Sequence, residues 1–267
     1  MKFIQITDTH FVGPGEQLYG LDPAQRLAEI VTLINAEHAD SDFVLITGDL
    51  ADLGQVKAYQ RLAEILTPLI PPVHLMLGNH DSRAPFAKVF GADAMSDGFA
   101  QFRISGRGAD ILCLDTLVDV PGEHAGHLCA SRLGWLSREI ARQDGPWLLA
   151  LHHPPFDVGL PHMDDIRLDA ASSSALAEVI AEKPPLMILC GHVHRPIHGV
   201  WRGVPWHIQR AVNHQVAYRP VRGPKFMFSD EAAEFSVISV GGDEVTIHTR
   251  TMTEFEEFDA RGPHRDG

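Results

Sequence analysis

The chain has 267 residues, 45% hydrophobic and 21% charged, and a formal net charge of -13 from 22 Lys and Arg against 35 Asp and Glu. A chain of this length can bury roughly three quarters of its unfolded surface without covalent staples, and its ordinary composition excludes a disordered or fibrous class. The acidic balance opposes nucleic acid polymers and anionic membranes at long range, but leaves room for a small anion drawn in by a local metal charge.

Three cysteines, Cys113, Cys129 and Cys190, form no CxxC pair and read as reduced thiols in a cytoplasmic protein. The start of the chain reads as a strand running straight into a motif, with no room for a signal peptide. No apolar run approaches the ~18 residues of a membrane span.

Residues 2–7 are an apolar run and predict a buried strand. Asp22, Pro23 and Gln25 then stand at the N-cap, first and third positions of a helix. Its inward face is Leu27, Ile30, Val31 and Ile34. Residues 43–47 predict a second strand, 56–66 a second helix, and 73–77 a third strand after the Pro71-Pro72 turn. Strand-like stretches follow near 99–104 and 110–115, then a helix near 131–142 with Leu133, Leu136 and Ile140 on one face. Residues 147–151 read as a buried strand, 172–182 as a helix, and 186–190 as another strand. After Gly191 the pattern shifts to short strands at 197–201, 204–209, 234–240 and 244–251, with Gly241-Gly242 as a hairpin turn. Strands alternating with helical crossovers and then a β-rich end predict an α/β protein built as a layered sandwich. Residues 1–258 read as one domain and 259–267 as a frayed polar tail.

The chemistry-bearing residues sit where these strands end. Asp8 and His10 follow the first strand, Asp49 the second, and Asn79, His80 and Asp81 the third. His152 and His153 follow the strand at 147–151, and His192 and His194 the strand at 186–190. The carboxyl edge of an open α/β sheet is where ligands bind, so these groups can converge on one crevice. Imidazole and carboxylate together suit zinc, iron, manganese or cobalt, and the lack of cysteine in the set argues against a closed structural zinc site. Glycines before Asp49, Asn79 and His192 allow close backbone approach or sharp turns. Each motif alone is as well explained by turn chemistry; five in order, each after a strand, point to metal.

The ordered set D-x-H, G-D, G-N-H-D, H and G-H-x-H resembles the calcineurin-like metallophosphoesterases. The stretches LHHPP and GHVHRP are similar to its bacterial branch of class III cyclic nucleotide phosphodiesterases and glycerophosphodiesterases. The resemblance spans about residues 1–250 and implies an α/β/β/α sandwich of two mixed sheets flanked by helices. It implies two divalent ions, one held by Asp8, His10, Asp49 and His194, the other by Asp49, Asn79, His152 and His192. Asp49 would bridge them. It assigns His80 to the substrate phosphate and Asp81 to orienting neighbours such as His80. His153 is expected to pack behind the ligands. The implied reaction is hydrolysis of small phosphodiesters by a metal-bound hydroxide, with phosphomonoester hydrolysis and a non-catalytic metal-binding scaffold as alternatives. The resemblance further implies a homodimer formed through the β-rich end, where Phe226, Met227 and Phe228 are apolar. Phe11 and the loop through Tyr19 are expected to touch substrate, and His214 to line the pocket.

Overall fold

The computed structural model describes residues 1–253. The expected tail at 259–267 and the expected domain end at 258 lie outside the described residues.

Strands β1 (Lys2–Ile6), β2 (Phe43–Ile46) and β3 (Val73–Leu75) alternate with helices α1 (Pro23–Glu37) and α2 (Val56–Leu66), and α3 (Arg83–Phe90) follows β3. Strands β4 (Phe102–Ser105) and β5 (Asp110–Leu114) precede α4 (Ala130–Ala141) and β6 (Trp147–Leu151). Helices α5 (Pro161–Asp164) and α6 (Ala170–Ile180) lead to β7 (Ile188–Cys190). The remaining strands are β8 (Ile197–Trp201), β9 (Val204–Ile208), β10 (Gln215–Val216), β11 (Phe228–Ser229), β12 (Glu234–Gly241) and β13 (Glu244–Thr251).

Two mixed sheets form the body. The first has the order β13-β12-β1-β2-β3 and the second β4-β5-β6-β7-β9-β8. Strands β1, β2 and β3 are parallel, as are β5, β6, β7 and β9. The apolar runs are continuous because both faces of each sheet are covered. In β1, Ile4 and Ile6 face the core under α1 and α2, while Phe3 faces the second sheet. In β6, Trp147, Leu149 and Leu151 face the α4–α6 side, while Leu148 and Ala150 face the first sheet. Strand alternation thus sorts one sequence run into two cores. Each such buried Leu or Phe contributes roughly 1.5–3 kcal/mol relative to exposure. The result is the α/β/β/α layering expected from the sequence.

Helix α1 begins as the sequence predicts: the Asp22 side chain accepts a hydrogen bond from Ala24 N, and Pro23 occupies the first turn. Helix α6 starts earlier than predicted because Asp169 caps it, accepting from Ser172 N. Helix α3 was not anticipated. Its sequence RAPFAKVF buries only Phe86 and carries Pro85, so it has no apolar stripe to recognise. Pro85 is tolerated because it lies in the first turn. The two-residue strands β10 and β11 are too short for any periodicity. All three cysteines are free, and Cys113 and Cys190 are buried. Among the described residues no helix is long and apolar enough to cross a membrane.

Candidate metal centre

Because β1, β2 and β3 are parallel in one sheet and β6 and β7 in the other, the loops after them gather at common edges. The chain turns sharply there. Asp8, His10, Asp49, His192 and His194 all have positive φ, between 46° and 70°. Such backbone is uncommon outside glycine and carries strain of about 1–3 kcal/mol per residue, which clusters at functional sites. The glycines serve close approach. A Cβ on Gly78 would lie 2.2 Å from Asp49 Oδ1 and 2.6 Å from His152 Nε2, and one on Gly48 would lie 2.5 Å from His152 Nδ1.

The side chains meet as follows. Ligand atoms of Asp8, His10, Asp49 and His194 all lie within 4.8 Å of one another, and all four residues are buried. His194 Nε2 is 3.2 Å from Asp8 Oδ1, and His152 Nε2 is 3.3 Å from Asp49 Oδ2. His192 Nδ1 is 2.9 Å from Asn79 Oδ1. Asp49 Oδ1 accepts from the His80 backbone N–H at 2.9 Å, leaving Oδ2 toward the histidines.

The far nitrogen of each ring is anchored. His152 Nδ1 donates to Thr47 O and His194 Nδ1 to His214 O, both at 2.8 Å, and His10 Nδ1 bonds Asp52 Oδ1 at 3.2 Å. This fixes ring orientation and leaves each Nε2 as a donor of its lone pair. His10 Nε2 and His194 Nε2 then face each other at 3.1 Å, an arrangement that asks for a cation between them. The buried Nε2 atoms of His152 and His192 have no hydrogen-bond partner. Among the described residues the ion pairs of Asp8 and Asp49 are all with histidines, with no Lys or Arg near. Two buried carboxylates without a fixed cation, beside orphaned imidazole nitrogens, fit divalent metal.

The electrostatics agree. Burial opposes ionisation of Asp49, but His152 and His80 outweigh it and hold its carboxyl well below the usual range. His194 and then His152 likewise overcome burial and lower that of Asp8. Burial lowers His152 too, but Asp49 and Asp8 overcome it and raise the ring to about 9. Burial lowers His10, and burial with the neighbouring His153 and His152 pushes His192 well down, so both rings are neutral and available as ligands.

The remaining predicted residues divide. His80 stands at the cavity, its ring 4.7 Å from that of His10, and its Nδ1 donates to Asp52 O at 2.8 Å. Asp81 does not orient His80. Its carboxylate is spent beneath the site, accepting from the backbone N–H of Leu50, Ala51 and Gly78 and from Tyr59 OH. Burial, and then the charge of Asp49, raise Asp81 to about 7 against those three backbone donors. His153 is committed behind the ligands: Nδ1 lies 2.7 Å from Thr116 Oγ1 and Nε2 3.1 Å from His124 O. His214 and Tyr19 do line the cavity. Phe11 does not; it is fully buried in the core under α1 and α2.

Two participants escaped the sequence reading. Asp52 positions both His10 and His80, yet it stands in a loop three residues past Asp49 with no motif of its own. His124, in the PGEHAGH loop, reaches Asn79 Nδ2 at 3.1 Å. No local pattern marks either one. The centre opens into a cavity of about 520 Å³ whose far wall includes Tyr19, Met163, Ile166, Phe226 and Phe228.

Comparison with known proteins agrees with this geometry. The chain is 48% identical over 252 residues to a probable cyclic nucleotide phosphodiesterase of Rhodopseudomonas palustris, covering 93% of this chain and 91% of the relative. It is 35% identical over 211 residues to a cAMP/cGMP dual specificity phosphodiesterase of Mycobacterium tuberculosis, covering 76% of this chain and 64% of the relative. In fold it is similar to a purple acid phosphatase from yellow lupin, with a TM-score of 0.74 at 11% identity, over 97% of this chain and 52% of that one. The model of the calcineurin-like phosphoesterase family matches residues 1–196, the stretch that carries every strand-end motif described above. The chain belongs to the calcineurin-like phosphoesterase family.

Proposed function

We propose that this chain hydrolyses small phosphodiesters, cyclic nucleotides or glycerophosphodiesters, with two divalent ions drawn from iron, manganese, zinc and cobalt. The observation that carries this reading is the convergence of buried Asp8, His10, Asp49, His152, His192 and His194, with Asn79, on one cavity. One ion would be held by Asp8, His10, Asp49 and His194, and the other by Asp49, Asn79, His152 and His192, with Asp49 shared. When bound, such a pair lowers the pKa of water to about 7 and neutralises phosphoryl oxygens.

The chain's own groups do the rest. Thr47 O, His214 O and Asp52 hold three imidazoles in their ligating tautomers, so no reorganisation is needed when substrate enters. His80, with Nδ1 tied to Asp52 O, presents Nε2 to the ester. As the imidazolium it donates to a phosphoryl oxygen or hands its proton to the departing alkoxide. The apolar far wall of Met163, Ile166, Phe226 and Phe228 suits the second ester substituent, which a monoester lacks.

The core residues between the two sheets support one domain over 1–258. The unpaired thiols support a cytoplasmic protein, and a homodimer through the β-rich end remains part of the proposal.

The test is the hydrolysis of bis(p-nitrophenyl) phosphate against p-nitrophenyl phosphate by metal-stripped protein reloaded with manganese. A preference for the diester is expected. A preference for the monoester would overturn the diesterase reading and leave a phosphatase with the same ligands.

A further inference from the structure

A second cavity of about 790 Å³ shares no lining residue with the metal centre or its substrate cavity. It lies where the free edges of the two sheets come together. Strand β3 ends the first sheet and β4 the second, and both contribute to its walls along with α3 and the turn that follows it. The volume falls in the range that encloses small organic ligands, about 300–1,000 Å³.

One wall residue is out of place. Gln101 is 1% exposed, and neither its Oε1 nor its Nε2 has a hydrogen-bond partner. Burying an amide with both functions unsatisfied is costly, and such groups in native proteins call for an explanation. Its surroundings are flat and aromatic. The rings of His74 and Phe102 stack at 5.9 Å with 29° between their planes, and Phe86 and Phe90 lie across the cavity's helical wall. The charges are closed off. Arg103 is paired with Asp110 and reaches Glu139 at 3.9 Å, so it is not free to receive a phosphate.

We propose that this cavity is a second ligand site, taking an uncharged planar heterocycle that carries a hydrogen-bond donor and acceptor side by side, the edge a nucleobase presents. The Gln101 amide offers Nε2–H and Oε1 in one plane and matches that edge with two parallel hydrogen bonds. The aromatic walls take the faces of the heterocycle. The shortage of free cations selects a base or nucleoside over a nucleotide. This assignment does not depend on the diesterase reading, because no residue is shared.

The experiment is calorimetric titration of adenosine into the manganese-loaded protein and two variants. Gln101→Met conserves volume and removes the amide; Ala63→Trp fills the cavity from α2. Adenosine is expected to bind the wild type at one site, and roughly tenfold or more weaker to each variant, the scale of a lost bidentate pair. Diester turnover is expected to stay unchanged in both. Gln101→Met, relieved of an unsatisfied amide, is expected to melt no lower than the wild type. Absence of wild-type binding at millimolar adenosine, or equal affinity in all three proteins, would overturn the proposal, the latter by placing adenosine in the metal-centre cavity.

Discussion

The layer between the two sheets and the rim of strand ends beside it are built from the same strands on opposite rules. In the layer, Phe3, Leu45, Leu148 and Leu189 are fully buried on regular extended backbone. A few residues later the same strands hand over to Asp8, Asp49, His152 and His192, where backbone turns left-handed and charged groups face one another at about 3.3 Å. The layer gains from burying apolar surface. The rim spends that gain on strain and on desolvated charge, which metal binding would offset. Stability and activity should therefore be separable in this molecule by choosing the side of that boundary to alter.

The sharpest separation is Asp49→Ala. Loss of a partner that merely orients a ligand costs 10–100-fold in comparable sites. Loss of a carboxylate shared by two ions is expected to lower diester turnover by about 10³-fold or more, with a fall in bound metal measured by atomic emission. Wild-type turnover in this variant would break the two-metal reading.

Leu149→Ala is the opposite experiment. Leu149 is fully buried against α4 and α6, and its truncation is expected to cost about 2–5 kcal/mol in urea unfolding. The kcat of the folded fraction should hold. A parallel collapse of kcat would show that the rim is not insulated from the core.

His80→Ala removes a group that touches substrate without ligating. Turnover is expected to fall by ~10²-fold, the lower end for a lost general acid, while metal content stays near the wild-type value. Loss of the metals would assign His80 a structural role.

The smallest effect probes a polar exception inside the layer. His207 is fully buried, with Nε2 3.2 Å from Ser236 Oγ. Burial, and then the neighbouring His198, lower its pKa from 6.5 to about 4. The folded protein therefore keeps the ring neutral while the unfolded chain takes up a proton below 6.5. The stability associated with His207 is complete above that pH and is lost as pH falls toward about 4. At up to ~1.4 kcal/mol per pH unit, the stability difference between wild type and His207→Gln should shift by on the order of 1–3 kcal/mol between pH 7 and pH 4.5. A difference independent of pH would show that His207 does not titrate this way.

The same boundary divides what was legible in the sequence. Apolar runs and helical stripes are local signals, so strands β6, β8 and β13 and helix α2 begin and end where periodicity puts them. The short, stripe-free α3 and the two-residue β10 and β11 leave no such signal. At the site, the residues that follow strands directly were readable because parallel pairing brings strand ends to a common edge. Asp81 was misassigned because adjacency in sequence suggested that it serves His80. In space its oxygens point back to Leu50, Ala51, Gly78 and Tyr59. Asp52 took that place across 28 residues of chain.

Order of elements, the α/β class and the side chains brought to the strand ends were determined by the sequence itself, because each depends on patterns a few residues long. Tertiary structure alone decided that β12 closes the first sheet beside β1, pairing Lys2 with Ser239. It also brought His124 and His214 to the ligands and left Gln101 without partners beside a second cavity. Those outcomes rest on contacts between segments far apart in the chain, where packing and the geometry of loop closure choose the neighbour and no local pattern records the choice.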